Sequence, residues 1–425
     1  MVDVKAAAAV LPVMLAAVVA GCSGGGSGAE AVDATSCGRM VYEGTGKPDV
    51  VIVSDFPLRG VGAENTRQMV RAVELVLRKR AFRAGEHRVG YQSCNDTVGD
   101  EPFDTLLCKQ NARAYVSSHD VVGIVGPWNS GCAAEQIPIV SRRSAGPLAM
   151  ISPSNTYTGL TRTVRGGGGA SLYPDGVRSY ARVVPHDFTQ GIAAARLAAA
   201  NGARRAVVLH QDFADDYVLG LTGPFRSAAS DLGISVRSLR WTREKTYERL
   251  AGKVAAARPD AVYLAGLTQV NAKRLVEDLR AALGPDVILI APDSFAADDI
   301  ARELGPAGEG LYATEPGTTP DRLPPTGRRF LRALGLTPAK ARETWAPEAA
   351  QAAEVLLDAI GRSDGSRASV VREVYATKVR DGILGSFSFD AFGDVVPAPV
   401  TIYRVGSGRL VTDRVIRVPA EASSG

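Results

Sequence analysis

Histidine is scarce in this chain: four in 425 residues, the last at position 210, and no two in an HxxxH spacing. No pair of cysteines stands as CxxC, aromatic residues make up only 6%, and no long Lys/Arg run accompanies the small formal net charge of +4. Each shortage removes a class of function. Without a His/Cys pattern, a structural zinc site has no ligand set. Without a basic patch interleaved with aromatics, nucleic-acid binding lacks its electrostatic footprint. A serine hydrolase of the strand–turn–helix type needs a histidine late in the chain, and none follows His210. No cofactor and no metal is called for.

Long apolar runs are also missing. The longest, residues 6–20 behind Lys5, is too short for a comfortable membrane span and reads as the core of a secretory signal. It ends in "VAGC", residues 19–22, and a Gly/Ser tract follows. That tetrapeptide resembles the bacterial lipoprotein lipobox, which implies a signal over residues 1–21, a diacylglycerol on Cys22 and a flexible tether over 22–47. Two acyl chains suffice for stable anchoring, since each buried methylene adds about 0.8 kcal/mol. The expected location is the cell envelope, at the outer face of the cytoplasmic membrane or in the periplasm.

With Cys22 set aside, Cys37, Cys94, Cys108 and Cys132 remain, an even number that outside the cytosol suggests two disulfides. Of the three possible pairings, Cys94 with Cys108 is favoured because it closes a short loop between a strand end and the next helix. Cys37 with Cys132 is what that leaves.

The chain is too long for one comfortable core, so two lobes are expected. The β-branched run 49–56 is followed by the segment 64–80, where Met69, Val70, Val73 and Leu77 recur at helical spacing. A strand over 87–93, a helix over 103–118 with Asp104 as N-cap, and the strand, turn and helix of "VVGIVGPWNSGCAAEQ" continue the alternation. Strands over 205–212, 234–241, 260–266 and 286–293, with an amphipathic segment over 271–283, repeat it. This pattern predicts an α/β fold of two parallel sheets, each with helices on both faces. The segment 162–182, with four consecutive glycines, reads as a solvated connector; it lacks the Lys-Ser/Thr of a phosphate-binding loop. The late helices and a terminal hairpin complete the two lobes.

Five stretches occur in order between residues 123 and 395: "GIVGPWNSGCA", "MISPSNTYTGLTR", "RVVPHDFTQGIAAA", "AVVLHQDFADDY" and "GILGSFSFDAFGDV". They resemble the leucine/isoleucine/valine-binding family, the type I periplasmic binding proteins that feed ABC transporters. The resemblance implies two Rossmann-like lobes joined by three crossovers, near 183–186, 312–317 and 382–385. Lobe 1 then spans 48–183 and 317–382, and lobe 2 spans 184–316 and 383–425. It implies a monomer without catalytic residues, partnered by ABC permease subunits and by the membrane through its anchor.

Ligands of open parallel sheets sit beyond the carboxyl ends of the strands, beside helix N-termini that carry roughly half a positive charge. The resemblance accordingly assigns an amino-acid carboxylate, or a similar small carboxylate, to Ser130, Ser154 and Thr156, with Asn129 and Asn155 as further ligand-site candidates and Trp128 either lining the cleft mouth or packing against the next helix. From the opposing lobe it assigns Tyr217, Thr268 and Asp293, the last as partner of the ligand ammonium. Two positions depart from the family: Asp293 stands where a longer acid is commoner, and the expected Tyr-Gly is Tyr217-Val218. Ser130 can equally be a helix N-cap; as a hydrolase nucleophile it lacks the glycine two residues earlier, where Trp128 stands. Asp187 is expected to cap a helix. A sensory or regulatory lipoprotein on the same fold is the main alternative, and an extracellular serine hydrolase the remote one.

Overall fold

The computed structural model describes Val2 and residues 28–419, except 61, 100, 102, 165–166, 212–215 and 269, and leaves the side chains of Ala145 and Asp216 aside. Cys22 and the signal segment lie outside the described residues. No described helix is long and apolar enough to cross a membrane.

Two sheets carry the molecule. The first has six strands in the order Arg83–Ala84, His87–Asn95, Val50–Phe56, Val121–Val125, Ala149–Ser152 and Tyr180–Arg182. All but the Arg83–Ala84 edge run parallel. The second has seven, in the order Ser235–Trp241, Arg205–Gln211, Ala261–Ala265, Ile288–Ala291, Tyr312–Pro316, Ala398–Gly406 and Arg409–Val418, with the last two antiparallel.

The β-branched runs become central strands because both of their faces can be buried. In Val50–Phe56, Ile52 and Phe56 enter one core while Val51 and Val53 enter the other. In Arg205–Gln211, Val207 and Leu209 alternate with Ala206 and Val208 in the same way. A period of two suits a strand and would scatter these residues around a helix. The helix Ala63–Lys79 instead buries Met69, Val73 and Leu77 against the first sheet. Helix Thr105–Ser117 starts where expected, with the Asp104 carboxylate accepting from Leu107 N at 2.7 Å.

The C-terminal third divides between the two cores. Helices Pro325–Leu334, Ala346–Arg362 and Arg367–Tyr375 cover the first sheet, while the terminal hairpin extends the second. Ile383, Phe387, Phe389 and Val395 are also buried in the first core. The last passage between the sheets therefore falls after Val395, downstream of the 382–385 position implied by the resemblance.

The disulfides differ from the favoured pairing. Cys37 bonds Cys94, and Cys108 bonds Cys132. The segment around Cys37 lies antiparallel beside strand His87–Asn95, which brings Cys37 opposite Cys94. Cys108 points instead from helix Thr105–Ser117 to the adjacent helix Ser130–Val140. Sequence proximity favoured a short loop; helix–helix packing chose the partner. The Asp55 carboxylate, at the end of the first strand, ties the same two helices by accepting from Asn111 at 2.9 Å and from Gln136.

Chain-entropy arithmetic makes the 24-residue Cys108–Cys132 closure worth roughly 3–4 kcal/mol. Replacing both cysteines by alanine should lower the unfolding free energy by that amount, seen as a lower urea midpoint by far-UV circular dichroism.

Candidate functional site

In each sheet the strand order reverses once, and the reversal opens a crevice at the carboxyl ends of two neighbouring strands. In the first sheet these strands are Val50–Phe56 and Val121–Val125; in the second, Arg205–Gln211 and Ala261–Ala265. Ser130 follows the first crevice, while Tyr217 and Thr268 follow the second. The topology thus places Ser130, Tyr217 and Thr268 at the two switch points, while Ser154, Asn155 and Thr156 follow Ala149–Ser152 and Asp293 follows Ile288–Ala291.

On the first rim, most of these side chains serve the loop itself. Asn129 is the N-cap of helix Ser130–Val140, accepting from Gly131 N at 2.8 Å. Ser130 is therefore the first helical residue and not the cap. Ser154 Oγ and Asn155 Nδ2 both donate to the Trp128 carbonyl at 2.8 Å. Asn155 Oδ1 also accepts from Tyr180 OH, and Trp128 packs against the first core. Among the described residues, Ser130 Oγ has one long contact, 3.4 Å, from Tyr157 N. Ser130 is thus the hydroxyl of this rim least committed to the frame.

The rim is moulded by Arg182, a fully buried residue at the end of the sheet's last strand. Its guanidinium donates to the Asn155 and Tyr157 carbonyls at 3.1 and 2.8 Å and to Thr161 Oγ1 at 2.5 Å. Its Nε reaches Asp394 Oδ1 at 2.8 Å, and Arg162 Nε reaches Asp394 Oδ2 at 2.8 Å. Burial alone would push the Asp394 carboxyl up; Arg182, with His186 and Arg162, outweighs it and holds the carboxyl well below the usual range. His186, 3.8 Å from Asp394, is pushed down to about 4 by burial. None of this network was selected from the sequence. Residues 162–182 looked like a connector, whereas Tyr180–Arg182 is a core strand.

The second rim meets the first through helix Asp187–Ala200. Asp187 N donates to the Thr156 carbonyl at 2.8 Å, and the Asp187 carboxylate also bonds the Thr156 side chain. Gln190 Nε2 donates to Asp187 at 3.3 Å, while its Oε1 accepts from Asp293 N at 3.2 Å and from Thr314 at 2.9 Å. Tyr217 OH then donates to Asp293 Oδ1 at 2.5 Å. Thr156, Asp187, Gln190, Asp293 and Tyr217 form one polar path between the rims. Thr268 stands at the same edge, its carbonyl accepting from Ala272 N as the next helix opens.

Asp187 is thus central rather than a mere cap: it is 2% exposed, and burial together with the Asp293 charge raises its pKa well above the ordinary value. Burial likewise raises Asp293. Two further acids escaped selection, Glu315 and Glu348, which burial pushes up to about 8 and about 7. Both line a cavity of about 20 Å³ beside the passage at Gly317, with Thr318, Arg342 and Tyr403. A signal existed for each: an acid inside an otherwise apolar strand or helix must have a reason to be buried. Asp96 approaches Cys108 and Cys132 at metal-ligand spacing, but those cysteines are bonded to each other and offer no thiolate.

Two outcomes follow from these charges. Asp394→Asn strands buried Arg182 without its counter-charge and should cost about 3–5 kcal/mol, seen as a lower urea midpoint. Separately, raised carboxyls hold protons in the folded state that the unfolded chain has already released. Stability therefore falls as pH rises from about 4.5 towards the folded values of about 7 and 8 at Glu348 and Glu315. His186 opposes this only between about 4 and its unfolded value of 6.5. Melting of the ligand-free protein should occur at a higher temperature at pH 6.5 than at pH 8.5, with a smaller difference in Glu315→Gln.

Comparison with known proteins agrees with this geometry. Residues 56–409 match the family model described as periplasmic binding protein. No curated protein matches in sequence. Among solved structures, the chain is similar to a leucine binding protein, LivK, from Thermotoga maritima, at 24% identity and a TM-score of 0.64 over 86% of this chain and 98% of that one. It is similar to the substrate-binding protein LivJ of Streptococcus pneumoniae in complex with isoleucine, at 20% identity and a TM-score of 0.63 over 87% and 99%. A solute-binding protein of an ABC transporter from Rhodopseudomonas palustris HaA2, in complex with p-hydroxybenzoic acid, shows 16% identity and a TM-score of 0.66 over 88% and 98%. With two open α/β sheets, each with a switch point, and a family match over most of its length, the chain belongs to the periplasmic binding proteins and has their type I fold.

Proposed function

We propose that the protein is the extracytoplasmic solute-binding component of an ABC importer, lipid-anchored through Cys22. It takes an amino acid or a similar small carboxylate into the cleft between its lobes. The single observation that carries this reading is the polar path from Thr156 through Asp187 and Gln190 to Asp293 and Tyr217. One end offers hydroxyls and a helix N-terminus, suited to a carboxylate. The other offers buried carboxylates, suited to an ammonium that cannot be buried unpaired.

On this reading, Ser130 and Thr156 grip the ligand carboxylate, Asp293 holds its ammonium, and Tyr217 and Thr268 line the opposite wall. The frame around Trp128, Asn129, Ser154 and Asn155 keeps those donors in place. Ligand contacts made to both rims favour the closed arrangement over the open one, and the closed form is what the permease receives. No bond is made or broken.

A thermal-shift screen with the twenty amino acids and a set of aromatic acids tests this. A ligand at a hundred times its dissociation constant adds about 2.7 kcal/mol, a clear rise in melting temperature. Ser130→Ala and Asp293→Asn should each weaken the response at least about tenfold in ligand concentration, since each removes a hydrogen bond to a charged group worth about 1.5–3 kcal/mol. A flat response to every compound would defeat the reading.

A further inference from the structure

We infer that Cys108 and Cys132, once their disulfide is opened, form a zinc site completed by Asp96, so that a metal can staple the same two helices the disulfide joins. The three residues are scattered along the chain, and no spacing motif marks them. Asp96 is fully buried, and neither of its carboxylate oxygens has a partner among the described residues. A buried polar group left without a partner is costly, and a cation would satisfy both oxygens. The backbone fixes its place: Asp96 N donates to the Phe56 carbonyl at 3.2 Å, and the Asp96 carbonyl accepts from Asp104 N at 2.8 Å. There a side-chain oxygen of Asp96 and both cysteine sulfurs lie within 4.8 Å of one another, and Cys108 Sγ is 3.9 Å from the Asp96 carbonyl.

While the sulfurs are bonded to each other, neither can be a thiolate. A phosphine reductant passes two electrons to the disulfide and becomes its oxide by taking the oxygen of one water; the two protons of that water complete two thiols. Zinc then binds both sulfurs as thiolates, and their protons pass to solvent. Zn–S bonds of about 2.3 Å in a tetrahedron hold the sulfurs about 3.8 Å apart, a span that Cα atoms 5.6 Å apart allow. Both cysteines stand in the first turn of their helices, Thr105–Ser117 and Ser130–Val140, where the helix dipole favours a thiolate. Those two positive ends offset the single negative charge by which two thiolates and a carboxylate exceed the ion. Gln136 Oε1 is also buried without a partner among the described residues, and its amide donates to the Cys108 carbonyl at 3.3 Å. A neutral fourth oxygen thus stands beside the trio. Thiolates suit zinc and not calcium or magnesium, which take oxygen ligands.

The test uses the purified full chain, reduced with a phosphine in urea and refolded with the reductant present. It is titrated with cobalt, whose visible and sulfur-to-metal absorption bands report tetrahedral thiolate ligation, and with zinc against a chromophoric chelator. The reduced chain should take up one metal ion at this site, and the disulfide form none. Cys108→Ser/Cys132→Ser, which keeps Cys37 and Cys94, should lose the thiolate bands. Asp96→Asn should weaken zinc binding at least about tenfold, since even outer partners of metal ligands carry that much. Its far-UV circular dichroism should match that of the parent, because the Asp96 side chain holds none of the described frame. Zinc bound equally well by the double serine variant, or with undiminished affinity by Asp96→Asn, would overturn the assignment. So would a reduced chain that folds yet binds no metal, or one that stays unfolded with zinc present.

Discussion

A guanidinium that has left water entirely must find both a counter-charge and acceptors for its donors, and here one residue does so at the junction of everything else. Arg182 lies at the end of a core strand, a few residues before the chain passes to the second sheet. Asp394 lies just before the last passage back. Their contact joins two of the interlobe connections, and the remaining donors of Arg182 shape the loop that carries Thr156. Desolvating two ions is expensive, and hydrophobic replacements are often no less stable. The gain is in shape: a planar fork with fixed donor directions sets three backbone and hydroxyl positions at once. The ligand rim is therefore only as well defined as this pair.

The opposite rim works by a different balance. Charges about 4 Å apart repel by about 4 kcal/mol at an effective dielectric near 20, so neighbouring buried acids cannot all ionise. They hold protons instead, and the polar path stays closed by hydrogen bonds such as that from Tyr217 to Asp293. Such a rim keeps its acids inside a hydrogen-bonded path while they hold their protons.

Much of this was legible before any coordinates. The β-branched run 49–56 read as a strand and Asp104 as a helix N-cap, because those patterns satisfy local physics by themselves. Ser130, at a strand end, and Tyr217 and Thr268, singled out by the family resemblance, prove to follow the switch-point strands. Other features were not legible, because their partners lie far away in sequence. Arg182 meets Asp394 across 212 residues, and no local pattern marks either. The same limit explains the cysteines: proximity along the chain favoured Cys94 with Cys108, while the packing of neighbouring helices joined Cys108 to Cys132. Glu348 was hidden by its setting, an Ala-rich helix whose other inward residues are core.

The two rims also answer differently to change, and that bears on how one fold serves different solutes. Residues that hold the loop in shape, such as Asn155, bond to backbone groups and to one another, so altering them deforms the site whatever it binds. Acids such as Glu315 and Glu348 touch little of the frame; exchanging them changes the charge of the cleft while leaving the sheets and passages as they are. Structures of the same fold hold isoleucine in one case and p-hydroxybenzoic acid in another, the latter without any ammonium. A fold that fixes where a ligand sits, through strand order and a buried ion pair, leaves its chemistry to a few side chains at the strand ends. In this chain the strand ends carry the acids Asp293 and Glu315.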